Sequence, residues 1–114
     1  MESTNTRQQK IAKQIQRDIA EIFRREQAAT LRGTLVTVTT VRVSPDLAYA
    51  KIYVSIFPFE RAQATLAAIE GQNKAIRGAL GNRMRNQVKS IPELQFFIDD
   101  SLEYIENIDS LLKK

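Results

Sequence analysis

The hydrophobic and polar positions of the chain change period several times, and each period predicts one element. Over Gln8–Glu26, isoleucines recur every three or four residues, as on the buried side of an amphipathic helix. Val and Thr dominate Leu35–Val43, which is typical of a β-strand. In Leu47–Phe57 two sets of side chains alternate, which predicts a second strand with one buried face. Because the turn-forming residues Ser44-Pro45-Asp46 separate the strands, we expect an antiparallel hairpin.

Two more helices and a third strand are predicted in the second half of the chain. The alanine-rich residues 60–70 favour a helix. A further helix is predicted over Ala75–Lys89, because apolar side chains recur there every four residues. Alternation over Glu93–Asp99 predicts the third strand. Residues 101–112 predict a short terminal helix that packs on the domain, since its apolar side chains would otherwise be exposed.

The order of these elements predicts an α+β fold, α-β-β-α-α-β with a short C-terminal helix. We expect the helices to lie on one face of a three-stranded sheet, which is the arrangement of a type II KH domain. A chain of 114 residues suits one such domain, spanning 1–114.

The missing residue types exclude most catalytic chemistry. There is no cysteine and no histidine, so disulfides, thiolate nucleophiles, His-based triads and the usual zinc sites are ruled out. No carboxylate cluster or phosphate-binding loop stands out. We therefore predict a protein that is not an enzyme and takes no cofactor or metal. With no apolar run of about 18 residues and no signal-like start, we expect a cytoplasmic protein without membrane contact, and a monomer.

The charge is unevenly distributed along the chain. Residues 1–98 hold 15 Lys and Arg against 8 Asp and Glu, whereas residues 99–114 hold 2 lysines against 5 acids. A basic body favours a polyanionic partner such as nucleic acid. The alternative is that the charges only keep the surface soluble.

Two basic surfaces are candidates for RNA binding. On the first helix the cations lie opposite the isoleucines. On the helix near residues 75–89, cations group around two glycines, each of which costs about 1 kcal/mol relative to alanine. Small side chains would let a phosphate backbone come close, although helix packing could also explain them. The candidate residues are Lys10, Lys13, Arg17, Lys74, Arg77, Gly78, Gly81, Arg85 and Lys89.

Two other features leave alternatives open. Gly78-Ala79-Leu80-Gly81 fits the GxxG loop with which KH domains clamp nucleic acid, but the usual place of that loop is near residues 71–74. Aromatic side chains on one strand face could stack bases; burial beneath the terminal helix is the interpretation we favour. These aromatic residues are Tyr49, Tyr53, Phe57 and Phe97.

From Arg7 to Leu112 the chain resembles the ribosome-binding factor A family. The sharpest segment is Val41–Val54 (VRVSPDLAYAKIYV). The second combines Ile76-Arg77 with Leu80-Gly81 and Arg85, and the third is Ile91–Phe97 (IPELQFF), followed by Asp99-Asp100-Ser101. Two departures stand out: Gln72-Asn73-Lys74 replaces the Ala-x-Gly kink common in the family, and residues 85–91 are about two residues longer than usual.

The resemblance implies a KH-like RNA-binding fold and a role in ribosome biogenesis. It implies binding to the immature or free small (30S) ribosomal subunit and its 16S ribosomal RNA, late in maturation and rRNA processing. It also implies release when maturation is complete, and support of growth in the cold. The alternatives are a general RNA chaperone and a protein-interaction module whose basic charge is incidental.

Overall fold

The computed structural model of the chain describes residues 6–99. The predicted helix over residues 101–112 lies outside the described residues. In the described part, the predicted order α-β-β-α-α-β is confirmed. The elements are α1 (Thr6–Glu26), β1 (Leu35–Val43), β2 (Tyr49–Phe57), a 3-10 turn (Phe59–Arg61), α2 (Ala62–Gly71), α3 (Asn73–Met84) and β3 (Glu93–Ile98).

Three strands form one mixed sheet with the order β1-β2-β3. The hairpin of β1 and β2 is antiparallel as predicted, and β3 runs parallel to β2 on its other side. The β1–β2 register shifts between Val38 and Thr40, so Thr39 is the extra residue of a bulge. This is an α+β arrangement consistent with a KH-like domain.

The core lies between the helices and one face of the sheet. Ile15, Ile19 and Ile22 of α1 are fully buried, and burying each such side chain stabilises the fold by about 1.5 to 3 kcal/mol before entropy is subtracted. The strands contribute alternate residues to the same cluster, including Ile52, Val54 and Phe96. The predicted location of the helices on a single face is therefore confirmed.

Helical side chains also bind the backbone along both outer sides of the sheet. Beside β1, the Gln8 amide donates to the Val43 carbonyl at 2.8 Å, and the Gln16 amide donates to the Val38 carbonyl at 3.2 Å. Beside β3, the Asn73 amide donates to the Leu94 carbonyl at 3.1 Å. These bonds fix α1 and α3 against the sheet.

Hydrogen bonds from side chains close the β1–β2 turn. The Ser44 hydroxyl donates to Asp46 Oδ1 at 2.8 Å, and the Ala48 amide donates to the same carboxylate at 3.1 Å. Both bonds favour the ionised carboxylate, so they hold the pKa of Asp46 below its usual value, the Ser44 bond most strongly. Leu47 adopts a left-handed φ of 62°, and its side chain packs against the core.

Several predicted boundaries differ from the structure, and α1 begins at Thr6, two residues before the predicted Gln8. β2 begins at Tyr49 rather than at residue 47, because the left-handed Leu47 belongs to the turn. The helix predicted from residue 60 begins as a 3-10 turn, and α2 starts at Ala62. α3 begins two residues before the predicted Ala75 and ends at Met84 rather than at Lys89.

The described helices give no sign of a membrane span. Within residues 6–99, none is both long enough and apolar enough to cross a bilayer.

Candidate nucleic-acid interface

The predicted cations of α1 lie on the side of the helix turned away from the core. Lys10, Lys13 and Arg17 are all exposed, because the isoleucines on the opposite side of the same helix are buried in the sheet. The Arg17 guanidinium donates to the Gln14 side-chain oxygen at 3.0 Å. This contact leaves its charge unpaired by an acid within the described residues.

α1 and α3 are joined by a short polar chain. The Gln14 amide donates to Asp18 at 2.8 Å, and Arg83 of α3 approaches the other Asp18 oxygen at 3.7 Å. Asp18 is only 7% exposed, so this partner offsets part of the cost of burying a carboxylate. The two helices therefore pack side by side in one layer on the sheet, and we call the exposed outer side of this layer the helical face.

Arg83 is a residue that sequence reasoning missed. The available signal was Asp18, an acid inside the isoleucine stripe of α1. A carboxylate at a core-facing position needs a cation or several donors nearby, and this need predicts a basic residue on the neighbouring helix. The pattern of α3 alone could not identify which of its basic residues turns towards α1.

The predicted basic group around α3 is divided by the end of the helix. Lys74 lies in its first turn, Arg85 is the C-terminal cap, and Lys89 lies five residues beyond Met84. After the helix, the Gln87 and Val88 amides both donate to the Met84 carbonyl, and this turn brings Val88 into the core. Lys89 therefore does not continue the row of side chains on α3 that contains Lys74, although both residues are exposed.

The two glycines of α3 have different surroundings. A Cβ added at Gly81 would meet Ile91 Cγ1 at 3.4 Å, so packing gives this glycine a partial explanation. A Cβ added at Gly78 would meet nothing within 4 Å in the described part of the chain beyond its own stretch of helix. Helix packing therefore does not account for Gly78, whose exposed backbone lies beside an open recess of about 430 Å³ that Lys74 and Arg77 also line.

The GxxG clamp interpretation is wrong. Gly78 and Gly81 lie inside α3, where the backbone is helical and cannot form a loop. The break between the two helices falls at Gln72, with φ −102° and ψ 11°. This is the region in which a KH loop is expected, and it is formed here without the Ala-x-Gly sequence.

Arg77 is largely engaged by the protein itself. Its Nε donates to the Pro92 carbonyl at 3.0 Å, and its Nη2 donates to the Ile91 carbonyl at 2.6 Å. These two bonds tie α3 to the segment that leads into β3. Arg77 remains exposed, but two of the five N–H donors of its guanidinium bind the chain itself.

The remaining predicted cations have no acidic partner among residues 6–99. Arg24 and Arg25, by contrast, both pair with Glu21 on α1. Lys10, Lys13, Lys74, Arg85 and Lys89 are thus exposed and available to an anion. In the same part of the chain, no three acidic side chains come together as a metal site would require.

Comparison with known proteins agrees with this architecture. The family model described as ribosome-binding factor A matches residues 7–112. Ribosome-binding factor A of Cytophaga hutchinsonii is 41% identical over 110 residues, which cover 96% of this chain and 83% of that protein.

A crystal structure and a fitted homology model also resemble the chain. The crystal structure of ribosome-binding factor A from Thermus thermophilus has a TM-score of 0.68 and 26% identity, covering 80% of this chain and 94% of that one. A homology model of the Thermus thermophilus factor, fitted into a cryo-EM map of a 30S complex, has a TM-score of 0.62 and 29% identity, covering 78% and 91%. A family match across nearly all of the sequence, with the same order of helices and strands, has one explanation: the chain belongs to the ribosome-binding factor A family.

Proposed function

We propose that this protein binds the immature or free small ribosomal subunit through its 16S ribosomal RNA and assists late maturation and rRNA processing. It acts by occupancy and shape, without turnover. Membership of the ribosome-binding factor A family supports the proposal, as does the Thermus thermophilus relative fitted into a map of a 30S complex.

The single observation that carries the RNA interface is Gly78. A glycine inside an exposed helix lowers helix stability by about 1 kcal/mol relative to alanine. Here, within residues 6–99, the missing methyl group would meet nothing within 4 Å outside its own stretch of helix. A partner that needs to approach the backbone of α3 closely explains this loss of stability, and Lys74 lines the same recess.

The charges of the helical face match a phosphate backbone. Lys10, Lys13 and Arg17 on α1 and Lys74, Arg85 and Lys89 on or beside α3 are exposed without acidic partners among residues 6–99. Each cation that neutralises a phosphate adds about 0.7 to 0.9 to the slope of log affinity against log salt. Four to six such contacts give a slope of roughly −3 to −5.

The test is subunit binding measured by co-sedimentation across a salt series. Arg85→Glu/Lys89→Glu should bind free small subunits much more weakly and flatten the salt slope by about 1.5. The fold should remain intact, because both side chains are exposed. A matched control, Lys113→Glu/Lys114→Glu, makes the same change of charge and should do little.

The same experiment separates the alternatives. Wild-type protein should prefer immature or free small subunits to mature, translating ribosomes. Equal binding to any RNA would indicate a general RNA chaperone, and binding without RNA dependence would indicate a protein-interaction module. Normal binding by the Arg85/Lys89 variant, or an equal loss in the Lys113/Lys114 control, would show that the RNA surface lies elsewhere.

A further inference from the structure

The face of the sheet turned away from the helices, which we call the open face, carries aromatic side chains. Tyr49 is 48% exposed, Phe57 is 55% exposed and Phe97 is 38% exposed. Tyr53 and Phe97 are register partners on β2 and β3, and their rings stack with centroids 5.3 Å apart and planes inclined by 27°. Large apolar side chains that are exposed together, rather than singly, indicate a binding surface.

Two cations lie between the aromatic rows. Arg42 and Lys51 are register partners on β1 and β2, and both are exposed. Along β2, alternate side chains on one face are roughly 7 Å apart, so Lys51 lies midway between Tyr49 and Tyr53. The open face therefore alternates ring, cation and ring.

Among residues 6–99, two acids also lie on this face. Glu93 is the register partner of Tyr49 at the first position of β3. Asp99 follows the last residue of β3, accepts a hydrogen bond from the Thr39 hydroxyl at the bulge, and lines a recess with Arg42 and Tyr53. Lys51, whose register partner on β3 is the uncharged Gln95, keeps a positive charge between these two acids.

This combination favours a single-stranded nucleic acid over a protein partner. Lysine is depleted at the centres of protein interfaces, because its charge must be desolvated there. Single-stranded RNA instead offers bases that stack on rings and phosphates that pair with cations. Stacking on an aromatic ring does not depend on the hydrogen-bond pattern of the base, so such a surface can bind RNA of any sequence.

We propose that the open face is a second RNA-binding surface, on which unpaired bases stack on Tyr49 and on the Tyr53–Phe97 pair while Arg42 and Lys51 hold phosphates. This inference deepens the proposed function and rests on it. The helical face and the open face lie on opposite sides of the sheet. One protein molecule then contacts two separate segments of RNA.

The test uses the full chain and a fluorescein-labelled single-stranded RNA of about 12 nucleotides, a length within the usual site size. Tyr49→Thr/Phe97→Thr removes two rings and keeps a residue that favours strands. We expect affinity measured by anisotropy to fall about tenfold or more, with the salt slope unchanged. The chain has no tryptophan and two of its three tyrosines are on this face, so wild-type tyrosine emission should fall on binding.

Three controls separate the possible outcomes. Leu35→Thr removes an apolar side chain that is 66% exposed but has no ring, and it should bind as wild type does. Tyr49→Phe keeps the ring and should also bind normally. Arg85→Glu/Lys89→Glu should weaken subunit binding, and the ring substitutions should still lower short-RNA affinity when they are added to that variant, so failure of the helical face and failure of the open face are distinguishable.

Unchanged RNA affinity in the Tyr49→Thr/Phe97→Thr variant would overturn the proposal. The competing occupant is the C-terminal part of this chain, which contains Ile105 and Ile108. If the ring variant and an Ile105→Ser/Ile108→Ser variant lower the unfolding midpoint non-additively, and neither changes RNA affinity, then the C-terminal residues cover the open face and the proposal fails.

Discussion

At the scale of single residues, Gly78 separates stability from function. Gly78→Ala should raise the free energy of unfolding by up to about 1 kcal/mol, because alanine favours the helix and the new methyl group meets nothing within 4 Å. The same methyl group should weaken binding to the small subunit, since it occupies the space in which a phosphate backbone would approach. Urea unfolding and co-sedimentation measure the two effects.

Gly71 provides the matched control for this prediction. It lies at the end of α2, and a Cβ added there also meets nothing within 4 Å. Gly71→Ala should leave subunit affinity unchanged. If Gly78→Ala binds as tightly as wild type, close approach to α3 at this position plays no part in binding.

The Ser44–Asp46 turn makes a prediction about ionisation. The Ser44 hydroxyl is the largest cause that holds the pKa of Asp46 below its usual value, so Ser44→Ala should raise that pKa towards the usual value. Because the folded pKa is depressed, the turn's contribution to stability is present above the unfolded pKa and is lost as pH falls through the folded pKa. The carboxyl chemical shift of Asp46 followed by NMR through an acid titration measures the change.

An exposed serine elsewhere tests the specificity of that shift. Ser90→Ala should leave the titration of Asp46 as it is in wild type. If Ser44→Ala also leaves it unchanged, the pKa is set by the backbone amide of Ala48 rather than by the hydroxyl.

At the scale of elements, Arg77 links α3 to the start of β3. Arg77→Lys keeps the charge but cannot reach two carbonyls at once, because an ammonium lacks the planar fork of a guanidinium. We expect the free energy of unfolding of this variant to fall by about 1 to 2 kcal/mol, and the lower value applies because the donor is exposed. The salt slope of subunit binding should not change, because the charge is kept. Thermal unfolding and the salt series measure the two quantities.

Arg85→Lys is the comparison for this variant. Arg85 caps α3 and is exposed, so a lysine there should change neither stability nor salt slope. If Arg77→Lys unfolds at the wild-type midpoint, the two bonds from Arg77 to the chain contribute little to stability.

The type and order of the elements could be predicted because one face of each is buried. The period of the isoleucines predicts α1, and alternation predicts the core face of β2, since Ala50, Ile52 and Val54 are fully buried. The end of α3 could not be predicted in this way. Val88 continues the four-residue spacing after Met84, but a turn brings it into the core, and burial alone does not distinguish a turn from a helix.

At the scale of the whole molecule, what the sequence could not predict depends on contacts between distant parts of the chain. The pairing of Asp18 with Arg83 joins two helices that are far apart in sequence. The hydrogen bonds from Arg77 to the carbonyls of residues 91 and 92 likewise join separate parts of the chain. The exposed cations of the candidate interface could be predicted because they lie opposite the buried apolar side chains of their helices. The sequence could not show which other cations form bonds within the protein, as Arg77 and Arg83 do.

The side chains along the outer sides of the sheet have a consequence for how copies of the protein meet. A strand that ends a sheet presents unpaired backbone groups, and a second copy can add its own strand there and begin aggregation. Gln8 and Gln16 occupy carbonyls of β1, and Asn73 occupies a carbonyl of β3. Part of the hydrogen-bonding capacity at each border of this small sheet is therefore already used by amides of the same chain, which disfavours growth of a continuous sheet from one molecule to the next.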